Sequence, residues 1–133
     1  MITADSPETE GPQAPYVKQR LHSVRGIMQP QSMLIPSRAM VEELIAEIPV
    51  GDIGSLASIR ARLAKAWGAD STCPVTVRRH VQEIAEISVA AYNDGGPVGG
   101  VTPFWRVVDP DKPDARRLPG GREFILARRA EEH

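Results

Sequence analysis

The sequence contains one side chain suited to act as a nucleophile, and it lies at a predicted helix start. Cys73 is the single cysteine, and the Pro74 that follows it suits the first turn of a helix. A helix N-terminus lowers the pKa of a thiol and so favours a reactive thiolate. A lone cysteine in such a position is more often a small packing residue. We therefore predict that the chain is not an enzyme, with catalysis through Cys73 as a minor alternative.

The other residues that could bind a metal or a phosphate do not form a recognisable pattern. His22, His80 and His133 lack the spacing of metal ligands. The three Gly-Gly pairs lie at residues 95–96, 99–100 and 120–121. They lack the lysine and the strand-to-helix context of a phosphate-binding loop, so we interpret them as turns. We expect no metal and no other cofactor.

An aromatic pair followed by an arginine is the most distinctive short pattern in the chain. Phe104 and Trp105 account for half of the two Phe and two Trp residues, and Arg106 follows them. Such a pair could line a pocket, stack on a nucleic-acid base or close a small core. The apolar run around it predicts a strand over residues 101–108, with Pro103 at its edge or at a bend because proline cannot donate to a ladder.

The elements that would position these residues are helices with apolar faces. Ser37 and Ser55 are suitable N-caps for two helices, Gly68 ends the second, and Pro74 begins a third. A short strand at 33–36 precedes them. The apolar positions recur at three- and four-residue spacing: Val41, Leu44, Ile45 and Ile48; Leu56, Ile59, Leu63, Ala66 and Trp67; Val77, Val81, Ile84, Ala85 and Ser88.

The second and third helices predict a helix-turn-helix, in which the later helix enters a DNA groove. The exposed N-terminal half of the third helix contains the predicted DNA contacts Thr76, Arg78, Arg79 and Gln82. A solvated helix face without a ligand is the alternative. The predicted strand over 101–108 and a turn at 109–114 would form a wing, and residues 122–132 a terminal helix. The predicted fold is mainly α with a small β wing, a winged helix-turn-helix.

Length and composition indicate one folded domain and a leader. The chain has 133 residues, of which 41% are hydrophobic, enough for one core. Four prolines among polar residues predict a largely disordered leader over residues 1–32, and residues 33–133 form the predicted domain. The leader could become ordered against a protein partner. Within it, Arg20, His22 and Arg25 could form a basic arm, the alternative being a solvated linker.

The charge is nearly balanced. The formal net charge is −1, but residues 16–133 hold 16 basic and 14 acidic residues, a charge of +2. This is weak for a nucleic-acid binder, so DNA contact would depend on the local placement of arginines. The sequence contains no apolar stretch long enough to span a bilayer and no signal peptide, and Cys73 cannot form an internal disulfide. We therefore expect a cytoplasmic protein without a membrane partner.

The order of these features resembles the DNA-binding domain of alkylguanine-DNA alkyltransferases and, more closely, their non-enzymatic alkyltransferase-like relatives, over residues 33–132. The family's Pro-x-Gly turn matches Pro49-Val50-Gly51. Its Pro-Cys-His-Arg-Val strand matches Pro103-Phe104-Trp105-Arg106-Val107, and a Gly-Gly turn and a final helix follow. The resemblance implies a DNA-repair protein that binds damaged double-stranded DNA by nucleotide flipping. Arg78 would be the arginine that fills the gap left by the base.

The same resemblance implies a base pocket and shows where this chain departs from the family. The implied pocket residues are Pro103, Phe104, Trp105, Arg106 and Leu118. Phe104 replaces the acceptor cysteine, so alkyl transfer cannot occur there. Trp105 replaces its histidine partner, Leu56 replaces a tyrosine, and Glu132, near the family's acid, is left without a predicted role. We predict a non-enzymatic protein that recognises alkylated or distorted bases. The alternative is a degenerate winged helix that serves as a protein-interaction or regulatory module.

Overall fold

A computed structural model of the chain describes residues 14–95 and 101–132. Within these ranges the protein has a mixed α/β arrangement of one three-stranded sheet and five α-helices. In chain order the elements are β1 (Tyr16–Val24), β2 (Ile27–Ile35), α1 (Arg38–Ala46), α2 (Leu56–Ala66), β3 (Ser71–Thr72), α3 (Pro74–Asn93), a 3₁₀ turn (Phe104–Arg106), α4 (Pro113–Arg117) and α5 (Gly121–Glu131). None of these helices has the length and apolar character that crossing a bilayer requires.

The first two strands form a long antiparallel hairpin. Their register runs from Tyr16 opposite Ile35 to the turn at Arg25-Gly26. Both turn residues have positive φ, 53° and 81°, as the tight turn of a two-residue hairpin requires. The prediction of disorder over residues 1–32 is therefore wrong for the strands, while residues 1–13 lie outside the described part.

Pro30 argues against a strand in the sequence, yet it occupies a β2 position that needs no donor. The N–H of Ser32 donates to Asp70 Oδ2 at 2.9 Å, and the Ser32 carbonyl accepts from the Asp70 N–H at 3.1 Å. The peptide groups of Ser32 therefore face away from β1. Pro30, two residues earlier, shares this orientation. Its missing N–H would point to the outer edge of β2, where β3 pairs only with Met33 and Leu34.

The predicted helices are confirmed, and most of their predicted apolar positions form the core, although Ala66 and Trp67 are exposed. The hydroxyl of Ser37 accepts from the Met40 N–H at 3.3 Å, and that of Ser55 from the Ser58 N–H at 3.0 Å, so both caps form as predicted. Pro74 is in the first turn of α3. The three helices bury side chains at the predicted spacing: Val41, Ile45, Ile59, Leu63, Val77, Val81, Ile84 and Ala85.

The segment 101–108 is not the predicted strand. A 3₁₀ turn occupies its centre, and donors outside any sheet bind its carbonyls. Arg129 Nε donates to the Trp105 carbonyl at 2.7 Å and Arg129 Nη2 to the Val108 carbonyl at 2.8 Å. The Gly54 N–H donates to the Arg106 carbonyl at 2.7 Å. These donors replace a ladder, so the wing predicted here is wrong, and the sheet lies at the N-terminal end of the described chain instead.

The terminal helix is confirmed as α5, and a short helix precedes it. The predicted turn at 109–114 runs into α4, which begins at Pro113. Arg128 of α5 is buried, as predicted for its stem, and its guanidinium lies 4.3 Å from the centre of the Tyr92 ring. The α5 helix thereby closes the core over the segment 101–108.

Candidate functional site

A cleft of about 210 Å³ lies between the N-terminal half of α3, the start of α2 and the region of α4. Its apolar lining comes from Leu56, Val81, Val108 and Leu118, and its polar lining from Arg78, Arg79, Gln82, Asp114 and Arg117. We call this site the arginine cleft. It combines a predominantly cationic lining with an apolar surface, which suits a ligand that has a negative group and a flat apolar part.

The charges of the arginine cleft are only partly neutralised. Arg117 pairs with Asp114, Nη1 to Oδ1, at 3.4 Å on the surface. Arg78 and Arg79 are exposed, and neither makes an ion pair with any residue in the described ranges. Two guanidinium groups at the start of one helix therefore retain most of their donors for a ligand. Such a site attracts anions.

Three of the four predicted DNA contacts lie in this cleft. Besides Arg78 and Arg79, Gln82 is present, but its amide already donates to the Arg117 carbonyl and to Glu86 Oε2, both at 3.1 Å. Gln82 therefore holds the region of α4 against α3. Thr76 does not line the cleft and instead hydrogen-bonds Cys73.

Cys73 sits between β3 and α3 without a catalytic partner among its hydrogen-bond donors. Partial burial raises the pKa of the Cys73 thiol, but hydrogen bonds from Thr76 and Val75 and the charge of Lys18 outweigh it, so the pKa lies below its usual value. Thr76 and Val75 can lower the pKa of the thiol, but neither can act as a general acid or base.

The aromatic pair closes a core, one of the three alternatives that the sequence left open. Phe104 is 0% exposed and Trp105 is 1% exposed. The Phe104 ring stacks parallel to Phe124 at 5.8 Å between centroids, and Trp105 meets Phe104 edge-on at 5.6 Å. A base could reach these faces only if the core opened.

The residues of the predicted base pocket do not line one common pocket. Of its five residues, only Leu118 lines the arginine cleft. Pro103, Trp105 and Arg106 border a second cleft of about 510 Å³ that Arg78 does not reach, although all three are themselves buried. Phe104 lines neither cleft.

Glu132 has a structural role that the sequence did not indicate. Trp105 Nε1 donates to Glu132 Oε2 at 2.9 Å, Arg106 Nη2 donates to the same oxygen at 2.7 Å, and the Gly51 N–H donates to Oε1 at 3.2 Å. Arg106 Nη1 also donates to the Ile48 carbonyl at 2.7 Å. We call these five residues the Glu132 cluster. The side chains of Arg106 and Glu132 are each 11% exposed, so they form a nearly buried ion pair at the centre of the cluster.

The electrostatics of the Glu132 cluster favour the ionised carboxylate. The hydrogen bonds from Arg106 outweigh the effect of burial and, with those from Trp105 and Gly51, lower the pKa of Glu132 to about 2. The sequence signal that could have pointed to this cluster is Arg106, because an arginine in an apolar run needs a compensating partner when it is buried. The sequence did not show which of the acidic residues that partner would be.

Comparison with family models, with curated proteins and with solved structures found no match to this chain. Within residues 14–95 and 101–132, no three His, Cys, Asp or Glu side chains come together as a metal site requires. A function therefore has to be inferred from the arginine cleft and its surroundings.

Proposed function

We propose that the protein is a non-enzymatic, double-stranded-DNA-binding protein of the alkyltransferase-like type, with α2 and α3 as its helix-turn-helix. In this proposal the start of α3 enters a groove, and the arginine cleft receives an alkylated or distorted base that has left the stack. The observation that carries the proposal is the pair of exposed guanidiniums, Arg78 and Arg79, beside an apolar recess at the start of α3. Phosphates and base edges are suitable acceptors for such donors.

Arg78 suits the role of filling the gap that an extruded base leaves. Its planar guanidinium can stack between base pairs and hydrogen-bond the orphaned partner. Arg78 has no ion pair to break within the described chain, so a move into the duplex would cost little in lost contacts. Arg79 would then remain available for the backbone.

The size of the arginine cleft favours a single planar ring. Its volume of about 210 Å³ lies below the roughly 300–1,000 Å³ of pockets for drug-sized ligands. Flipping costs a few kcal/mol, and less for a damaged base. Because Phe104 and Trp105 are buried, the base would instead contact Leu56 and Leu118. Selectivity would then come mainly from the lower cost of flipping a damaged base.

Trp105 stands at the position of the family's histidine, and Glu132 stands near the position of its acid. A hydrogen bond of 2.9 Å joins the two side chains. In this proposal the pair stabilises the fold and takes no part in binding DNA.

Fluorescence anisotropy tests the proposal with two duplexes that differ by one alkylated guanine. We expect tighter binding of the alkylated duplex at low salt, and a loss of about five- to 150-fold in affinity for Arg78→Ala, the size expected when an arginine contact worth about 1–3 kcal/mol is removed. Arg62→Ala is the matched control, since Arg62 is exposed on α2 and pairs with Glu47 at 2.7 Å. Negligible binding of both duplexes, unchanged by Arg78→Ala, would reject the proposal.

The burial of Phe104 and Trp105 favours the second candidate, a protein-interaction or regulatory module that no longer binds DNA. A pull-down from lysate, with and without nuclease, separates the two. Partners that survive digestion and are lost on mutation of surface residues other than Arg78 would support the module. Partners that disappear with the DNA would support the first proposal.

A further inference from the structure

The β1–β2 hairpin extends beyond the rest of the sheet. Strand β3 pairs only with Met33 and Leu34, so among the described residues no third strand lies beside residues 18–31, which we call the arm. At about 3.4 Å per residue, the arm reaches about 20 Å from β3 to its turn. Residues 17–23 and 25–30 are all exposed. The arm is thus a two-stranded ribbon, far more open to solvent than the core.

The arm is basic and contains no acidic residue. No Asp or Glu occurs between Gly11 and Val41 in the sequence. Lys18, Arg20 and His22 alternate along β1 and therefore share one face of the ribbon, and Arg25 lies in the turn. None of the four forms an ion pair with a described residue. The arm therefore presents uncompensated positive charge along one face and at its tip.

The base of the arm meets the start of α3. The Cys73 N–H, at the N-terminal end of α3, donates to the Leu34 carbonyl of β2 at 2.9 Å. Burial raises the pKa of the Cys73 thiol, and the hydrogen bonds from Thr76 and Val75 lower it. Lys18 is near enough for its charge to lower this pKa as well. The basic face of the arm thus begins beside the helix that contains Arg78 and Arg79.

The edges of the arm are poorly suited to pairing with a strand of another protein. Pro30 places its nitrogen, which has no proton, on the outer edge of β2, the same edge that Ser32 uses to bind Asp70. Along β1, exposed Lys18 and Arg20 discourage edge-to-edge association. A polyanion fits this surface better than a β-strand does.

We propose that the arm is a second nucleic-acid contact, whose basic face lies along the phosphate backbone of the duplex next to the segment that α3 engages. The proposal rests on the proposed DNA-binding function. Basic residues two apart on a strand are about 6.8 Å apart, and each DNA strand presents one phosphate per about 3.4 Å of helix axis. Lys18, Arg20 and His22 lie on one face of β1 and can therefore each approach a phosphate of the duplex that the ribbon crosses.

Salt-dependent anisotropy on the full chain tests the arm. The probe is an undamaged, fluorescein-labelled duplex of two helical turns, titrated between about 50 and 200 mM salt. The arm variant is Arg20→Gln with Arg25→Gln. The control is Arg62→Gln with Arg122→Gln, which removes two exposed arginines that already face Glu47 and Asp111. Circular dichroism verifies that both variants keep the wild-type fold.

We expect the arm variant to reduce the slope of log K against log salt by about 1.8, since each lost phosphate contact removes about 0.9. Its affinity at about 100 mM salt should fall about tenfold or more, while the control stays near wild type. An arm variant with the slope of the control would overturn the arm proposal. If only Arg78→Ala then weakens binding, the proposed function stands without the arm. If only the arm variant weakens binding, the arm stands and the function assigned to the arginine cleft fails.

Two other outcomes would also overturn the arm proposal. A wild-type protein that binds no duplex at low salt would overturn the arm proposal together with the proposed function. A stable dimer in light scattering without DNA, which Arg20→Gln with Arg25→Gln leaves intact and Leu21→Lys dissociates, would assign the arm to self-association and overturn its role as a DNA contact.

Discussion

The Glu132 cluster and the arginine cleft use the same residue type in opposite ways. In the cluster, Arg106 is almost buried, and its donors are bound by Glu132 and by the Ile48 carbonyl. In the cleft, Arg78 and Arg79 are exposed and have no ion pair within the described chain. The first arrangement uses arginine to fix a fold, and the second leaves it available for a ligand. Changes in the cluster should therefore affect stability, and changes in the cleft should affect binding.

The largest effect is expected for Arg106→Met. This change leaves the Glu132 carboxylate buried without its cation, which costs about 3–5 kcal/mol of unfolding free energy. Urea unfolding followed by circular dichroism measures the loss. The control is Arg62→Met, whose exposed pair with Glu47 is worth at most about 1 kcal/mol. Equal losses of unfolding free energy in the two variants would show that the Glu132 cluster stabilises the fold no more than an exposed ion pair does.

A double variant separates the unpaired charge from the lost packing. Arg106→Met with Glu132→Leu removes both charges, so it should recover part of the stability lost in Arg106→Met alone. If the double variant is less stable than Arg106→Met, the unpaired carboxylate is not the source of the loss.

The pH dependence of stability is expected to follow Glu132. Its pKa is about 2 in the folded protein against 4.5 for the free group. Ionised Glu132 therefore contributes fully above about pH 4.5, and the contribution of roughly 3 kcal/mol disappears as the pH falls towards 2. Unfolding free energies measured at several pH values should show a smaller decrease for Glu132→Gln than for wild type. Parallel curves for the two proteins would contradict the lowered pKa.

A smaller effect is expected for Trp105→Phe. This change retains an aromatic ring in the core and removes the N–H that donates to Glu132 at 2.9 Å. The loss of one hydrogen bond to a charged group should cost about 1.5–3 kcal/mol, before any cost of the smaller ring. DNA affinity at low salt should not change, because Trp105 is 1% exposed. A variant that remains folded but loses DNA affinity would place Trp105 at the DNA-binding surface.

Local signals were sufficient to predict four of the five described helices, whereas α4 lies partly where a turn was predicted. The hydroxyls of Ser37 and Ser55 cap α1 and α2, and the apolar spacing of α3 matches its buried face. Each of these signals acts within a few residues of its effect, which is why the sequence shows it. The positions of Arg78 and Arg79 on an exposed part of α3 followed from the same periodicity.

The hairpin and the segment 101–108 depend on distant partners and were mispredicted. Pro30 is compatible with β2 only because its nitrogen faces an unpaired position, a fact of register that the sequence does not show. The run around Phe104 has the composition of a buried strand, but Arg129 and Gly54 bind its carbonyls from elsewhere in the chain. A continuous apolar run does not distinguish a buried strand from a buried irregular segment whose carbonyls bind donors elsewhere in the chain.

The base pocket was mispredicted for the same reason. Matching Phe104 and Trp105 to an active-site strand placed them at a ligand, whereas packing against Phe124 places them in the core. Leu118 was predicted as a pocket residue and does line the arginine cleft. Which side chains share a cleft is decided by tertiary packing, and the sequence alone supplied only Arg78, Arg79 and Gln82 as neighbours on α3.

The most direct test measures stability and DNA affinity together for Arg78→Ala. We expect an unfolding free energy within about 0.5 kcal/mol of wild type, because an exposed residue away from structural contacts is replaced. We also expect that the preference for the duplex with one alkylated guanine over the undamaged duplex is largely lost. A variant that keeps the wild-type affinity and preference, or a wild-type protein that binds neither duplex at low salt, would contradict DNA binding through the arginine cleft.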